Sequence, residues 1–330
     1  MEVVTALENS LKGKDILSLK NMTRKEMDLI FDTADKLDSR KSYDTLHGKI
    51  MGALFFETST RTRLSFEAAM LRLGGGVVGW ADASVTRFGD PTRAETFEDT
   101  IRMVDDYADV IVMRSPQTGL DYYPYVAADV ASIPVINAGF RLPPEDIEHP
   151  TQGLLDIFTV KKEKGRIDGL KVAMTGNIRY ERTSHARIYG LAKYDVELLF
   201  ANPEGGGPTE KYLQYIKENK ARYRNVSLEE ALKEADVCFV VDGGAYKGKK
   251  PEQLLEQEKV DALKFGESWR ITLDKLKGSK RDMIIMHDLP RSGTGGFAIY
   301  PEVDKTPHAA YFREAANGVT VRMALLSLVV

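Results

Sequence analysis

Short apolar runs bounded by turn residues alternate with stretches whose apolar positions recur at helical spacing. Ile50-Met51-Gly52-Ala53-Leu54-Phe55-Phe56 reads as a buried strand, and a helix over Thr60–Leu73 follows, stopped by Gly74-Gly75-Gly76. Val77–Trp80 predicts a second short strand. Phe97, Ile101, Val104 and Ala108 mark one face of a helix over Glu95–Tyr107. Val110–Met113 and Pro134–Asn137 are further strands, with a helix crossing between them. The second half repeats the alternation. Helices are predicted over Thr151–Lys164, Thr183–Tyr194, Leu228–Ala235 and Ala309–Leu328, and strands over Leu170–Met174, Val196–Ala201, Val237–Val241 and Asp282–Met286. Such a pattern predicts an α/β protein with two doubly wound parallel-sheet domains joined by long helices. Ligands are expected in the inter-domain crevice, outside the carboxyl ends of the strands.

Length agrees with this division, since 330 residues at roughly 150 per domain is two domains. The junction falls near His149–Lys164. Lysine plus arginine is 46 and aspartate plus glutamate is 49, a formal net charge of −3, which argues against a nucleic-acid binder. A hydrophobic fraction of 43% excludes disordered and fibrous classes. The single cysteine, Cys238, sits in an apolar run and excludes a disulfide framework or a cysteine zinc site within one chain. No apolar stretch approaches the roughly 18 residues that span a bilayer, and no apolar leader is evident, so a cytoplasmic protein away from membranes is expected.

Candidate chemistry gathers at strand ends. Ser59-Thr60-Arg61-Thr62-Arg63 lies where a buried strand gives way to a helix. Free backbone N–H groups and the positive end of the helix dipole meet there, and hydroxyls with a guanidinium add donors suited to a phosphate dianion. An ordinary helix cap with solvated arginines is the competing reading. Met113-Arg114-Ser115-Pro116 ends another strand, and Arg114 can face the same anion. His149-Pro150-Thr151-Gln152 precedes a long helix, where His149 can donate to a substrate oxygen and Gln152 offers an amide. Arg179-Tyr180-Glu181-Arg182-Thr183 and His287-Asp288-Leu289-Pro290-Arg291 follow strands of the second half. Gly74, Gly76 and Gly79 match G-x-G-x-x-G, but they follow a helix and run into a strand, the reverse of the dinucleotide fingerprint. The five histidines are scattered, and no metal site is supported.

Together these segments resemble the aspartate/ornithine carbamoyltransferase family over nearly the whole chain. Phe55-Phe56-Glu57-Thr58-Ser59-Thr60-Arg61-Thr62-Arg63-Leu64-Ser65-Phe66-Glu67 is similar to the family's carbamoyl-phosphate signature. Asn137-Ala138-Gly139, His149-Pro150-Thr151-Gln152 and Leu154-Leu155-Asp156 follow in the expected order. Gly165–Leu170, Arg182-Thr183-Ser184-His185 and Val303–Phe312 resemble the aspartate branch. The resemblance implies that residues 1–150, completed by the C-terminal helix 308–330, bind carbamoyl phosphate, and that residues 151–307 bind an amino-acid acceptor. It implies that Ser59, Thr60, Arg61, Thr62 and Arg114 hold the phosphate. Thr62, Arg114 and His149 would contact the carbonyl oxygen and Gln152 the carbamoyl NH₂. Arg182 would hold an acceptor carboxylate, and Leu289 would offer a backbone carbonyl beside Pro290, which resembles the family's cis-proline. The chemistry needs no metal or organic cofactor. The resemblance also implies a homotrimer with shared active sites, and it leaves a regulatory chain open.

Three departures concern the acceptor half. The arginine that usually follows the strand at Val237–Val241 is absent, and Val241-Asp242-Gly243-Gly244-Ala245-Tyr246-Lys247 stands there instead. The usual His-Pro-Leu-Pro is His287-Asp288-Leu289-Pro290. The loop that normally carries a lysine to a neighbour's site reads Thr86–Arg93, with Arg87 or Arg93 as its replacement. An uncompensated acid pair at Asp242 and Asp288 would repel a second substrate carboxylate, unless Lys247, Lys249, Arg291, Arg87 or Arg93 offsets it. The expected activity is carbamoyl transfer to a small amino acid, with L-aspartate favoured, giving N-carbamoyl-L-aspartate and phosphate for pyrimidine biosynthesis. The alternatives are a sister transcarbamylase with another acceptor and a catalytically weak paralogue serving as an assembly subunit.

Overall fold

Five of the six residues of β1 (Ile50–Phe55) are buried in an unbroken run, as expected of a strand covered on both faces. A computed structural model describes residues 10–87, 94–114, 123–140, 147–241, 266–293 and 296–330. These fall into two compact units, one within Met1–Leu155 and Ala316–Val330, the other within Asp156–Ala315.

In the first unit, β1 lies between β2 (Gly76–Trp80) and β3 (Val110–Arg114), and β4 (Val135–Asn137) completes a parallel sheet of order β2-β1-β3-β4. Helix α1 (Arg24–Asp35) precedes the sheet, and α2 (Arg61–Arg72), α3 (Phe97–Tyr107) and α4 (Tyr123–Val130) connect its strands. Phe66, Ala69 and Met70 of α2 and Phe97, Ile101 and Val104 of α3 are buried at helical spacing. Parallel pairing sets Phe55 beside Arg114, so the carboxyl ends of β1 and β3 are level. The glycine motif serves this architecture. Gly74 has φ +87° just past the end of α2, and a Cβ on Gly79 (φ +139°) would meet the Ala53 carbonyl at 2.1 Å.

The second unit holds a parallel sheet of order β7-β6-β5-β8-β9, from β5 (Lys171–Thr175), β6 (Glu197–Ala201), β7 (Arg222–Asn225), β8 (Val237–Val240) and β9 (Ile284–Met286). Helices α6 (Arg182–Leu191), α7 (Glu210–Glu218) and α8 (Leu228–Glu234) connect them, and β10 (Ser292–Gly293) pairs antiparallel with β11 (Gly296–Phe297). Helices α5 (Pro150–Lys164) and α9 (Tyr311–Val329) each carry residues of both units. The core gathers Ala173, Leu199, Cys238, Ile271, Ile285 and Tyr311. Burial pushes the Cys238 thiol up to about 12, so it is an inert core group, as its apolar run predicts.

Most expected elements are present with ends displaced by a few residues. The helix expected to reach Tyr194 ends at Leu191, although Tyr194 is buried, because a buried apolar position continues past the last helical turn. Helix α1, helix α7 and strand β7 have no counterpart in the sequence reading. Strand β7 reads Arg-Tyr-Arg-Asn, without an apolar run. It is an edge strand whose Arg224 reaches Glu197, Glu230 and Glu234 at 2.8, 3.0 and 2.8 Å, a network that hydrophobic periodicity cannot register.

Candidate active site

The turn between β1 and α2 builds the anion-ready end of the first unit. Thr60 caps α2 without a side-chain hydrogen bond to the helix, so its hydroxyl satisfies none of the first-turn N–H groups. Arg114, the last residue of β3, donates from Nη1 to Ser59 Oγ at 3.0 Å and from Nε to Glu57 Oε2 at 3.2 Å. Thr62 is buried in the first turn of α2, and its hydroxyl lies 3.3 Å from His149 Nε2. His149 Nδ1 lies 3.4 Å from the Thr151 hydroxyl, so either ring nitrogen can carry the hydrogen. Arg61 is exposed and Gln152 half-buried.

The chain around His149 is anchored from several sides. Leu19 N–H donates to Glu148 Oε1 at 2.6 Å, and Phe140 N–H donates to the Glu148 carbonyl at 3.2 Å. Asn137 at the end of β4 donates to the Leu17 carbonyl and accepts from Gly139 N–H, which closes the strand-to-loop turn. Ser59 and Arg114 form one hydrogen-bonded pair, with Glu57 on the same guanidinium, and Thr62 and His149 form a second pair, so hydroxyls, a guanidinium and an imidazole gather around the turn that starts α2. Such a set of groups can bind a phosphate and donate to an adjacent oxygen.

The second unit presents a different electrostatic picture. Arg182 is the first residue of α6 and is buried. His287 N–H donates to Glu314 Oε2 at 2.8 Å, and Leu289 N–H donates to His287 Nδ1 at 2.9 Å. Leu289 has φ +52°, and its bond to Pro290 is cis, as the resemblance implies. Beneath this turn lies Arg187, with no exposed surface. Its Nε donates to Asp156 Oδ2 at 2.6 Å, its Nη2 lies 3.5 Å from Asp288 Oδ1, and its guanidinium stands over the Phe239 ring at 4.6 Å. Burial raises the Asp156 carboxyl despite Arg187, and burial together with Asp156 lifts Glu314 well above the usual carboxylate range. Asp288 goes the other way: burial works against its charge, but the Arg187 guanidinium outweighs it and holds the carboxyl below its ordinary value.

The expected residues therefore fall into two groups. Ser59 pairs with Arg114 and Thr62 with His149 within the first unit, which also holds Thr60, Arg61 and Gln152, while Arg182, Leu289 and Pro290 belong to the second. Arg87 is exposed after a short helical turn, and its carbonyl accepts from Glu95 N–H. Arg93, Asp242, Lys247 and Lys249 lie outside the described residues. The structure corrects the expectation of an uncompensated acid at 288, because Arg187 faces Asp288. It also removes Arg291 from the available cations, since Arg291 is bound by both oxygens of Asp304 and by the Tyr311 hydroxyl. Glu57, Asp156, Arg187 and Glu314 received no role from the sequence. Arg187 and Glu314 lie inside helical patterns that read as packing faces, and no spacing rule marks them.

Comparison with known proteins identifies the family of the chain. Residues 14–162 match the carbamoyl-P binding domain of aspartate/ornithine carbamoyltransferases, and residues 168–329 match the Asp/Orn binding domain. The aspartate carbamoyltransferase catalytic subunit of Thermococcus kodakarensis is 41% identical over 322 residues, covering 96% of this chain and 97% of that one. That of Archaeoglobus fulgidus is 40% identical over 318 residues, covering 95% and 98%. Among solved structures, aspartate transcarbamoylase from Trypanosoma cruzi in complex with carbamoyl phosphate and aspartate matches with a TM-score of 0.80 at 31% identity, covering 98% of each chain. The catalytic subunit of M. Jannaschii aspartate transcarbamoylase matches with a TM-score of 0.80 at 34% identity, covering 95% and 97%. The chain belongs to the aspartate/ornithine carbamoyltransferase family and is a carbamoyltransferase of its aspartate branch.

Proposed function

We propose that the protein transfers the carbamoyl group of carbamoyl phosphate to the amino group of L-aspartate. The observation that carries this reading is the pair of contacts, Arg114 to Ser59 and Thr62 to His149, that ties residues of β3 and of the α5 start to the uncapped turn of α2. Ser59, Thr60, Arg61, Thr62 and Arg114 bind the phosphate dianion, and Gln152 binds the carbamoyl NH₂. Arg182 holds an acceptor carboxylate, and the Leu289 carbonyl accepts a hydrogen from the reacting amine. The amine attacks the carbamoyl carbon, the carbonyl oxygen becomes an oxyanion, and the C–O bond to phosphate breaks. Thr62, Arg114 and His149 donate to that oxyanion, where preorganised donors lower the barrier most. The departing phosphate takes the amine proton, so no protein base is required.

The test is kcat/KM for L-aspartate, by phosphate release, against amines of similar length with one carboxylate. Preference for L-aspartate supports this reading. Turnover of another amine with none of L-aspartate establishes the sister transcarbamylase, and turnover of none establishes an assembly subunit.

The active unit in this proposal is a cytoplasmic homotrimer with each site shared between neighbours. Leu64 and Leu71 on α2, Val78 on the edge strand β2 and Val85 beyond it are exposed apolar residues of the first unit, which supports an interface there. The segment containing Arg87 and Arg93 is the one that reaches across. Mixing Arg61→Ala subunits with subunits lacking both Arg87 and Arg93 restores activity if sites are shared. No recovery after confirmed subunit exchange refutes sharing. No helix among the described residues is long and apolar enough to cross a membrane.

A further inference from the structure

Asp156, Asp288 and Glu314 gather around a single buried guanidinium, and the reaction outlined above uses none of the four side chains. Taking several acids out of water against one cation is costly, and apolar residues of similar volume commonly do as well or better for stability alone. The cluster has a specific place in the chain. Arg187 sits on α6, the helix that Arg182 begins. Asp288 adjoins Leu289, and Glu314 receives the His287 N–H. Asp156 stands on α5 and meets Arg187 Nε, while Arg187 Nη2 points to Asp288. One planar guanidinium therefore spans two carboxylates on different elements, which a lysine, as a single point charge, cannot reproduce.

The turn from His287 to Pro290 is consequently tied at successive residues. Glu314 accepts the His287 N–H, the His287 ring accepts the Leu289 N–H, and Arg187 Nη2 faces the Asp288 carboxylate as an ion pair at 3.5 Å, without a hydrogen bond. The Leu289 carbonyl leaves this turn from a left-handed backbone conformation, at φ +52°. A leucine at such a position depends on its surroundings to stay there.

We propose that Arg187 is a positioning residue for the acceptor: by gripping Asp288 while braced on Asp156, it sets the Leu289 carbonyl relative to Arg182 on its own helix. The inference rests on the assignment of Leu289 and Arg182 to the acceptor under the proposed function. It gives Asp288 a defined part as a strap on the turn. Its charge is spent on Arg187, so it neither binds the acceptor nor repels its carboxylate.

The experiment compares full-length Asp288→Asn, Arg187→Lys, the double variant and Arg182→Ala with wild type. Kinetics with L-aspartate and the melting shift produced by carbamoyl phosphate are both measured. Misplacing a reacting group by about 1 Å costs on the order of 10²-fold in rate. Asp288→Asn and Arg187→Lys are therefore each expected to lower kcat/KM for L-aspartate by about 10- to 100-fold, with an unchanged carbamoyl-phosphate shift. The double variant is expected to be no worse than the worse single variant, because both break one contact. A purely structural cluster would alter melting temperature and leave kcat/KM for L-aspartate alone. Wild-type kcat/KM in Asp288→Asn, or losses that multiply in the double variant, overturns the proposal. If Arg182→Ala loses L-aspartate turnover while Asp288→Asn does not, the strap alone falls. If Arg182→Ala also keeps wild-type kinetics, the acceptor assignment falls and takes the strap with it.

Discussion

In the first unit a half-buried arginine, Arg114, meets one carboxylate, Glu57, and a serine hydroxyl; in the second, the fully buried Arg187 meets Asp156 and Asp288, with Glu314 close by. The first arrangement leaves donors in surplus. The uncapped turn of α2, the hydroxyls of Ser59, Thr60 and Thr62, and Arg61 add positive potential without further acids. The second arrangement has acids in surplus, and burial raises the carboxyls of both Asp156 and Glu314 above their ordinary values. A dianion suits the first region as it stands. An anionic acceptor suits the second only while its acids are tied down, so under the proposed function the same ion-pair chemistry would serve binding in one unit and positioning in the other.

The sharpest way to break this comparison is to remove Arg114. Its side chain is 12% exposed and that of Glu57 5%, so Arg114→Met strands a buried carboxylate. The expected loss is about 3–5 kcal/mol in urea unfolding, together with loss of the carbamoyl-phosphate melting shift. Adding Glu57→Gln is expected to recover most of the stability and none of the shift. A double variant that regains the shift would show that Arg114 is no phosphate ligand. An unchanged stability in the single variant would make the Glu57 pair incidental.

His149 tests the donor surplus on the barrier itself. Loss of one oxyanion donor costs about 10²–10³ in kcat, so His149→Ala is expected to lower kcat by that factor. Its carbamoyl-phosphate shift should persist, because phosphate ligands remain. Near wild-type turnover would remove His149 from the mechanism and leave Thr62 and Arg114 as the donors.

The contrast between the units also explains what could be read from the chain beforehand. The sheets were legible because β1, β3 and β8 are continuous apolar runs, a signal that survives without knowledge of partners. The turn Ser59–Thr62 stood out as a candidate anion site because its residues cluster in sequence where a strand gives way to a helix and the physics of a helix start applies locally. The acceptor side did not, because Asp156, Arg187, Asp288 and Glu314 are far apart in sequence and meet only after folding. Asp288 alone looks like a repelling acid, and its meaning reverses once Arg187 is beside it. Helix α1 could have been found, since Thr23 and Glu26 form a capping box, with the Thr23 hydroxyl accepting Glu26 N–H at 3.2 Å and Glu26 accepting Thr23 N–H at 2.7 Å.

The smallest expected effect concerns the raised carboxyl of Glu314. Burial and Asp156 raise the Glu314 carboxyl well above its ordinary value, so the native state holds a proton that the unfolded chain has already released. Stability changes with pH as the protons bound by the unfolded state minus those bound by the native state. That difference is negative here, so this group's contribution falls as pH rises from the ordinary carboxyl range up to the raised value of Glu314, and is level outside that window. One proton corresponds to about 1.4 kcal/mol per pH unit. Glu314→Gln removes the titration while its amide can still accept the His287 N–H and donate to Asp156. Urea unfolding of both proteins across that window is expected to show the variant gaining on wild type as pH rises, with a slope no steeper than the one-proton value. Parallel curves would place no extra proton on Glu314 and would leave Arg187 facing its acids fully ionised. The second unit would then lack the device that sets its electrostatics apart from those of the first.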